Sequence, residues 1–475
     1  MQESLRNFTI TTTVTTHLAD TVTPVGIYLR LREKLPGTLL LESADYRSSE
    51  NSFSYICVAP FAGITLTREQ CTTDLPDGSK DTHAPREGVA TLLERFLGRF
   101  TTTPTALPSG VINGIFGYLA YDAVPFCEDI SFSQSKEISH DIPLMRYQLF
   151  RYVIAINHFK DELYILENRC SNDTTSVSLD FEEVLNSTTP ITRGSFEASP
   201  TITSNLTDQE HIALILKCQE HIQRGDVFQI VPSRRFIQKY TGDDFEVYRR
   251  LRSLNPSPYL FYFDYGTYRI FGSSPEAQLV IKDGTVSIFP IAGTYKRTGD
   301  DSADTEHAKA LLDDPKESSE HVMLVDLARN DLSIHCYPVY VERFKEVQLY
   351  SHVIHLVSKV SGKLLPGHTA IGVLTATYPA GTLTGAPKYK AMELIDALEP
   401  TRRVTYGGAL GFIGFDGSLN HAITIRTFLS KDGELVRQAG SGIVYDSVPE
   451  TEVAEVRNKL GALAAAVEAA SKRGV

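Results

Sequence analysis

The sequence predicts an α+β fold, and three observations predict it. Short runs of β-branched and aromatic residues recur along the whole chain. Amphipathic helices with recognisable caps stand between some of them. The two kinds of element do not alternate in regular βαβ order, which argues against a Rossmann or TIM-barrel design.

In chain order, Thr38–Leu41, Val111–Tyr118 and Tyr147–Ile156 read as strands. Residues 171–206 are rich in Ser and Thr and poor in periodic apolar residues, so a lobe boundary is expected there, dividing an N-terminal lobe (1–185) from a second lobe (207–472). Thr207-Asp208-Gln209-Glu210 is a capping box that opens a helix. Ile212, Ile215, Leu216 and Ile222 are its expected apolar stripe, and Gly225 its stop. Val227–Val231, Leu260–Tyr265, Leu279–Lys282 and Val286–Pro290 follow as strands, the last two joined by a tight Asp283-Gly284 turn. Helices are expected over Glu317–Arg329, Lys388–Ala397 and Glu450–Ala469.

Composition narrows the function classes. The 475-residue chain carries a net charge of −12, which argues against a general nucleic-acid binder but leaves room for a local basic pocket. The six cysteines form no CxxC pair and read as free thiols. No signal-peptide pattern is visible, and no stretch approaches the ~20 apolar residues of a membrane span, so a cytoplasmic location is expected.

Two carboxylate pairs share a spacing. Glu317 and Glu320 sit on one face of a helix, and Glu452 and Glu455 repeat the pattern at the start of the last long helix, at the edge of a stripe made by Val453, Val456, Leu460, Leu463 and Val467. Facing pairs would suit Mg²⁺, a hard ion that takes a few carboxylates and retains waters. First-turn glutamates that complement the helix dipole have the same spacing.

A dozen segments in order decide between these readings. They include DVFQIVPSRRF (Asp226–Phe236), NPSPYLF (Asn255–Phe261), SSPE (Ser273–Glu276), PIAGT (Pro290–Thr294), EHVMLVDLARND (Glu320–Asp331), GTLTGAPK (Gly381–Lys388), QAGSGIVYDS (Gln438–Ser447) and AEVRNK (Ala454–Lys459), with LLES (Leu40–Ser43) in the first lobe. Together they resemble the chorismate-utilising enzymes, and within them component I of the anthranilate synthases. The resemblance implies two large, mainly antiparallel sheets packed face to face, helices outside and an active site in the cleft.

It also implies a site. Glu320 and Glu455 would bind Mg²⁺ directly, with Glu317 and Glu452 close by. Arg426, Lys459 and Tyr406 would meet a substrate carboxylate, helped by the Gly440-Ser441-Gly442 backbone. Gly293, Thr294 and Thr382 would make further substrate contacts. Glu276 corresponds to a general acid and His355 to a proton-transfer partner. Ala292 stands where many aminodeoxychorismate synthases have a nucleophilic Lys, and Gln229 where isochorismate and salicylate synthases have a water-activating Lys. Both point to ammonia as the nucleophile and to anthranilate as the product. An aminodeoxychorismate-type subunit and a catalytically silent relative are the alternatives.

Two further expectations rest on the same resemblance. None of the six cysteines lies in a GxCxGxQ elbow, so a separate glutaminase partner is expected to supply ammonia. Leu41, Glu42 and Ser43 with Asn255, Pro256, Pro258, Tyr259 and Leu260 resemble the two halves of a regulatory pocket for L-tryptophan; in the loop after Ser43, Phe53 stands near a position where some relatives carry Lys. The chain itself contains no tryptophan, an advantage for an enzyme needed when tryptophan is scarce.

Overall fold

The computed structural model describes residues 7–43, 52–133, 136, 139–174, 177–349 and 353–472. Its strands alternate inward apolar and outward polar residues, as Phe8–Leu18 does at its start, so each strand can bury one face. Every described strand but the short pair Gln229–Ile230 and Gly385–Ala386 joins one closed, curled sheet. All pairings are antiparallel except that of Phe8–Leu18 with Phe100–Thr102. The α+β class and its antiparallel character match the expectation. The strands of both expected layers are linked by hydrogen bonds into a single sheet.

The two chain segments expected as lobes interleave in this sheet. Leu39–Glu42 pairs with Tyr259–Asp264, and Gly114–Leu119 pairs with Ala409–Gly414. Their apolar side chains share three large buried clusters. One joins Ile10, Leu119 and Tyr147 to Leu279, Val325 and Val360, and another joins Tyr28 and Leu40 to Phe271 and Val456. The stretch 171–206 also carries structure: a helix, Phe181–Asn186, and a strand, Phe196–Ser204, that pairs with Ser233–Gly242. That strand buries one residue, Phe196, and so shows no alternation in the sequence.

Three local expectations are corrected. The helix Asp208–Gln223 has its full capping box, but it buries His211, Leu214, Ile215 and Cys218 and leaves Leu216 exposed. A histidine and a thiol complete its stripe where aliphatics were expected. Val227–Val231 pairs only at Gln229–Ile230, and Phe228 points outward at 74% exposure. The last long helix is two, Pro449–Lys459 and Gly461–Ser471, divided at Leu460, whose φ of −91° and ψ of −3° loosen the turn before Gly461, a weak helix former. All five expected stripe residues across the break are nonetheless buried. No helix among the described residues is long and apolar enough to cross a membrane.

Candidate active site

The site is assembled from turns and strand ends. Glu276 stands between the strands Tyr268–Ser274 and Ala277–Lys282, where Ile423 N–H donates to its carbonyl at 3.0 Å. Its carboxyl accepts from Thr382 Oγ1 at 3.1 Å. Thr382 sits in a single 3-10 turn, Gly381–Leu383. Burial raises the Glu276 carboxyl to about 7, against the opposing pull of the Thr382 bond and of the Arg426 and Lys459 charges. A carboxylic acid at that value keeps a proton near neutral pH and can give it to a leaving group.

Arg426 precedes the strand Thr427–Lys431 with φ of 49°, a left-handed conformation uncommon for a non-glycine residue and held here by its surroundings. Its backbone carbonyl accepts from Ser273 N–H at 3.1 Å, which ties it to the strand leading into Glu276. Burial lowers the guanidinium, and Glu276 opposes the shift.

His355 lies on the strand Val353–Leu364 and is 4% exposed. Its Nδ1 is 2.8 Å from Gly293 O, an atom that only accepts, so Nδ1 carries the proton and Nε2 keeps a lone pair. Burial, with the nearby Arg426 charge, lowers the imidazole to about 4, so the ring is neutral at neutral pH. Gly293 has φ of 67°, and a Cβ there would lie 2.6 Å from Leu311 Cδ1 and 3.1 Å from Glu317 Oε2. The glycine thus lets Leu311 of the helix Asp301–Asp313 and Glu317 of the helix Pro315–Ser333 close on its own strand, Ile291–Lys296, which pairs with the His355 strand. Thr294 pairs with His355 through the backbone, and its side chain lies outside the described residues.

A third group faces these. Lys459 Nζ donates to Gly440 O at 2.9 Å and pairs with Glu455 at 2.8 Å. Tyr406 is buried, and its hydroxyl lies 3.0 Å from where a Gly440 Cβ would stand. A Cβ on Gly442 would meet Gln229 Nε2 at 2.6 Å, so any larger residue would have to displace the buried Gln229 amide. Ser441 is fully buried, and its Oγ has no hydrogen-bond partner among the described residues.

The structure therefore sets Glu276 against Thr382 and within reach of the Arg426 and Lys459 charges, and the Arg426 charge also acts on His355, which is bonded to Gly293. It does not gather the four helical glutamates into one ligand cluster: among the described residues no group of three or more His, Cys, Asp or Glu could hold a metal. Glu317 stands beside Gly293, Glu455 is paired with Lys459, and Glu452 is 5% exposed. Glu320 is half-buried on the Glu317 helix. Carboxylates from two helices remain suitable donors in kind, because Mg²⁺ needs only one or two of them beside waters and substrate oxygens.

Sequence reasoning missed the residues that hold the site. Arg403 and Glu399 form a fully buried pair at 2.6 Å; Arg403 also donates to Leu383 O and Val231 O and stacks over Tyr406 and Tyr121. Glu399 accepts from Ser233 N and Oγ at 2.8 Å each. The signal was a pair of charges at helical spacing, Glu399 and Arg403, which a surface helix shows equally well.

At the expected regulatory pocket, the halves meet by strand pairing, Glu42 opposite Leu260 and Leu41 opposite Phe261. Glu42 is 5% exposed; Arg252 Nε donates to both its oxygens at 3.0 Å and Tyr248 OH at 2.6 Å. Asn255 Nδ2 donates to Ser273 Oγ at 3.3 Å. Ser43, Pro256, Pro258 and Tyr259 are half-buried around this junction, and Leu260 is buried. Most of the loop after Ser43, residues 44–51, lies outside the described residues.

A curled antiparallel sheet bearing a buried acid, a neutral histidine and converging cations defines an enzyme site for an anionic small molecule. The chorismate binding enzyme family matches residues 39–465, and the chain belongs to that family. It is 35% identical to anthranilate synthase component 1 of Aquifex aeolicus over 98% of this chain and 96% of the relative. Against the same component of Bacillus subtilis it is 37% identical, covering 98% and 93%. The crystal structure of anthranilate synthase component I from Streptococcus pneumoniae superposes with a TM-score of 0.74 at 30% identity, covering 94% of this chain and 98% of that one. The menaquinone-specific isochorismate synthase of Escherichia coli also gives 0.74, over 98% of this chain and 96% of that one; at 18% identity it shows the shared fold alone.

Proposed function

We propose that this chain is the aminating subunit of an anthranilate synthase, a lyase that turns chorismate and ammonia into anthranilate, pyruvate and water. The observation that carries the reading is Glu276, an acid raised to about 7 and hydrogen-bonded by Thr382 beside two cations. Its proton would go to the C4 hydroxyl, which leaves as water while ammonia bonds to C2. His355, neutral with its proton on Nδ1, would assist removal of the C2 proton as pyruvate departs. Arg426 and Lys459 would hold the carboxylates of chorismate. Ala292 and Gln229 support ammonia as the nucleophile, since neither offers an amine or a base. Mg²⁺, held by Glu320 and Glu455 with Glu317 and Glu452 nearby, would supply Lewis-acid charge at the ring carboxylate.

The relatives' name, component 1, supports a second component, which we read as a glutaminase that supplies ammonia. Feedback by L-tryptophan would act at the Glu42–Leu260 junction, where Arg252 and Tyr248 already occupy part of the Glu42 carboxylate. The purified chain with chorismate, ammonium and Mg²⁺ should form fluorescent anthranilate, and a non-fluorescent aminated product would overturn the assignment. Ser43→Phe should relieve tryptophan inhibition at nearly unchanged uninhibited turnover; inhibition equal to the parent's would remove the pocket from this junction.

A further inference from the structure

The Arg403–Glu399 ion pair lies in the interior, its residues 3% and 4% exposed. Taking two charged groups out of water is costly, and a buried pair by itself is weak support for stability. What the pair touches gives its use. Arg403 Nη1 donates to Leu383 O at 2.8 Å, and Nη2 donates to Val231 O at 2.6 Å. Nε and Nη2 also donate to the two Glu399 oxygens, at 3.0 and 2.6 Å. Two rings stack on the guanidinium, with Cζ 4.8 Å from the Tyr121 centroid and 5.4 Å from that of Tyr406.

Three of these partners belong to segments that carry site residues. Leu383 follows Thr382, the donor to Glu276, in the turn Gly381–Leu383. That turn is closed by two backbone bonds, Leu383 N–H to Ala380 O and Thr384 N–H to Gly381 O, each 3.1 Å. So short a turn has little stiffness of its own, and its place depends on what grips it from outside. Val231 stands two residues after Gln229, and its N–H donates to Thr384 O at 2.9 Å, so Arg403 clamps the two segments together. Tyr406 presents its ring to the guanidinium and its N–H to Arg403 O at 3.2 Å. Glu399 extends the set to a fourth segment. It accepts from Ser233, whose hydroxyl accepts from Gln438 Nε2 at 2.7 Å, two residues before Gly440.

A guanidinium is planar and sends its donors in fixed directions, whereas a lysine ammonium supplies the charge without the plane. Oriented by both Glu399 oxygens, the Arg403 fork reaches Leu383 and Val231 from one plane and offers its face to Tyr406. We propose that Arg403 is a positioning residue for the reaction, which through one guanidinium holds Thr382 on Glu276 and Tyr406 toward the substrate. Arg403 acts on the chemistry through those two residues. The proposal rests on the reading of Glu276 as the acid and Tyr406 as a substrate contact.

The test is a double-mutant cycle in the full chain, with chorismate consumption and anthranilate fluorescence followed in parallel. Arg403→Lys keeps the charge beside Glu399 and gives up the fork. Its kcat should fall about tenfold or more, from the loosened Thr382, and its KM for chorismate should rise about fivefold or more, from the loosened Tyr406. Thr382→Val replaces the hydroxyl by a methyl group and should lower kcat by itself. In the Arg403→Lys background it should add less than about twofold, because the contact it removes is already lost. Arg32→Lys is the control. The Arg32 guanidinium pairs with Asp243 and lies 4.9 Å from the Phe245 centroid, with neither partner in the site. That variant should lower Tm and leave kcat and KM within about twofold.

A folded Arg403→Lys with kcat and KM within about twofold of the parent would overturn the proposal. So would parental kcat in Thr382→Val, full multiplication of the Arg403→Lys and Thr382→Val losses, or an equal loss of kcat in Arg32→Lys. If Arg403→Lys does not fold, Glu399→Gln decides by the same criteria, since it keeps an acceptor for Ser233 and removes the charge that orients the guanidinium. Chorismate consumed to another product, and slowed alike in Arg403→Lys, would leave Arg403 its role and remove the anthranilate reading. Anthranilate made by Arg403→Lys at the parental rate would do the reverse.

Discussion

Glu276 and Glu42 are the same residue placed at strand ends in one sheet, and their partners differ. Glu42 is met by a guanidinium on both oxygens and by a phenol. Glu276 receives one hydroxyl, and the Arg426 and Lys459 charges act on it through space. Burial raises both carboxyls. At Glu42 an ion pair and hydrogen bonds oppose the rise, and they tie a strand to a helix. At Glu276 one hydroxyl and two charges oppose it, and the shift to about 7 leaves a proton available near neutral pH. Glu42 is engaged on both oxygens by protein donors, whereas Glu276 takes a single hydroxyl.

The sharpest way to break this contrast is Glu276→Gln. It keeps shape and the Thr382 contact but cannot give a proton, so kcat for anthranilate formation should fall on the order of 10²–10⁴-fold with folding intact. A variant with near-parental turnover would reduce Glu276 to a second structural carboxylate. Next in size, Glu320→Gln and Glu455→Gln ask whether the helical carboxylates act through a metal. Each should weaken Mg²⁺ half-saturation about tenfold or more, measured by titrating activity and by calorimetry. Unchanged magnesium dependence in both would remove them from the metal site.

Arg252→Met probes the other member of the comparison. It leaves Glu42 buried beside Tyr248 alone, and Tm should fall by the equivalent of about 1–2 kcal/mol, since the Arg252 side chain is 37% exposed and partly screened. Adding Glu42→Gln should recover much of the loss while turnover stays near the parent's. A large loss of kcat in Arg252→Met would mean the two regions are not distinct.

A further prediction concerns pH. The folded state raises the Glu276 carboxyl from 4.5 to about 7, so the folded protein binds this proton more tightly than the unfolded chain. The stability from that proton is fully present below about 4.5 and is lost as pH rises through about 7. Glu276→Gln, neutral throughout, should melt higher than the parent at pH 8 and close to it at pH 5. Activity of the parent should decline through the same upper window as the acid ionises.

Much of the fold was legible because its signals are local. The capping box at Thr207, the helix after Pro315 and the strands Leu39–Glu42 and Tyr259–Asp264 follow from side-chain period and cap chemistry within a few residues. Phe196–Ser204 was not legible, because an edge strand that buries one residue has no alternation to read. Nor was the break at Leu460, since the apolar stripe runs through it unchanged. The order of motifs named Glu276, His355, Arg426 and Lys459, and the family they indicate is the one the chain belongs to.

The sequence by itself determined the chemical inventory: which acids, cations and glycines exist, in what order, and that no lysine stands at Ala292 or Gln229. Only the tertiary structure decided their states. Glu42 met Arg252, 210 positions away, while Glu276 met Thr382, 106 positions away. Asp331 found Lys388, 57 positions away. A side chain's charge depends on burial and on its neighbours within a few ångströms, and in a sheet closed by long-range pairings those neighbours come from distant parts of the chain.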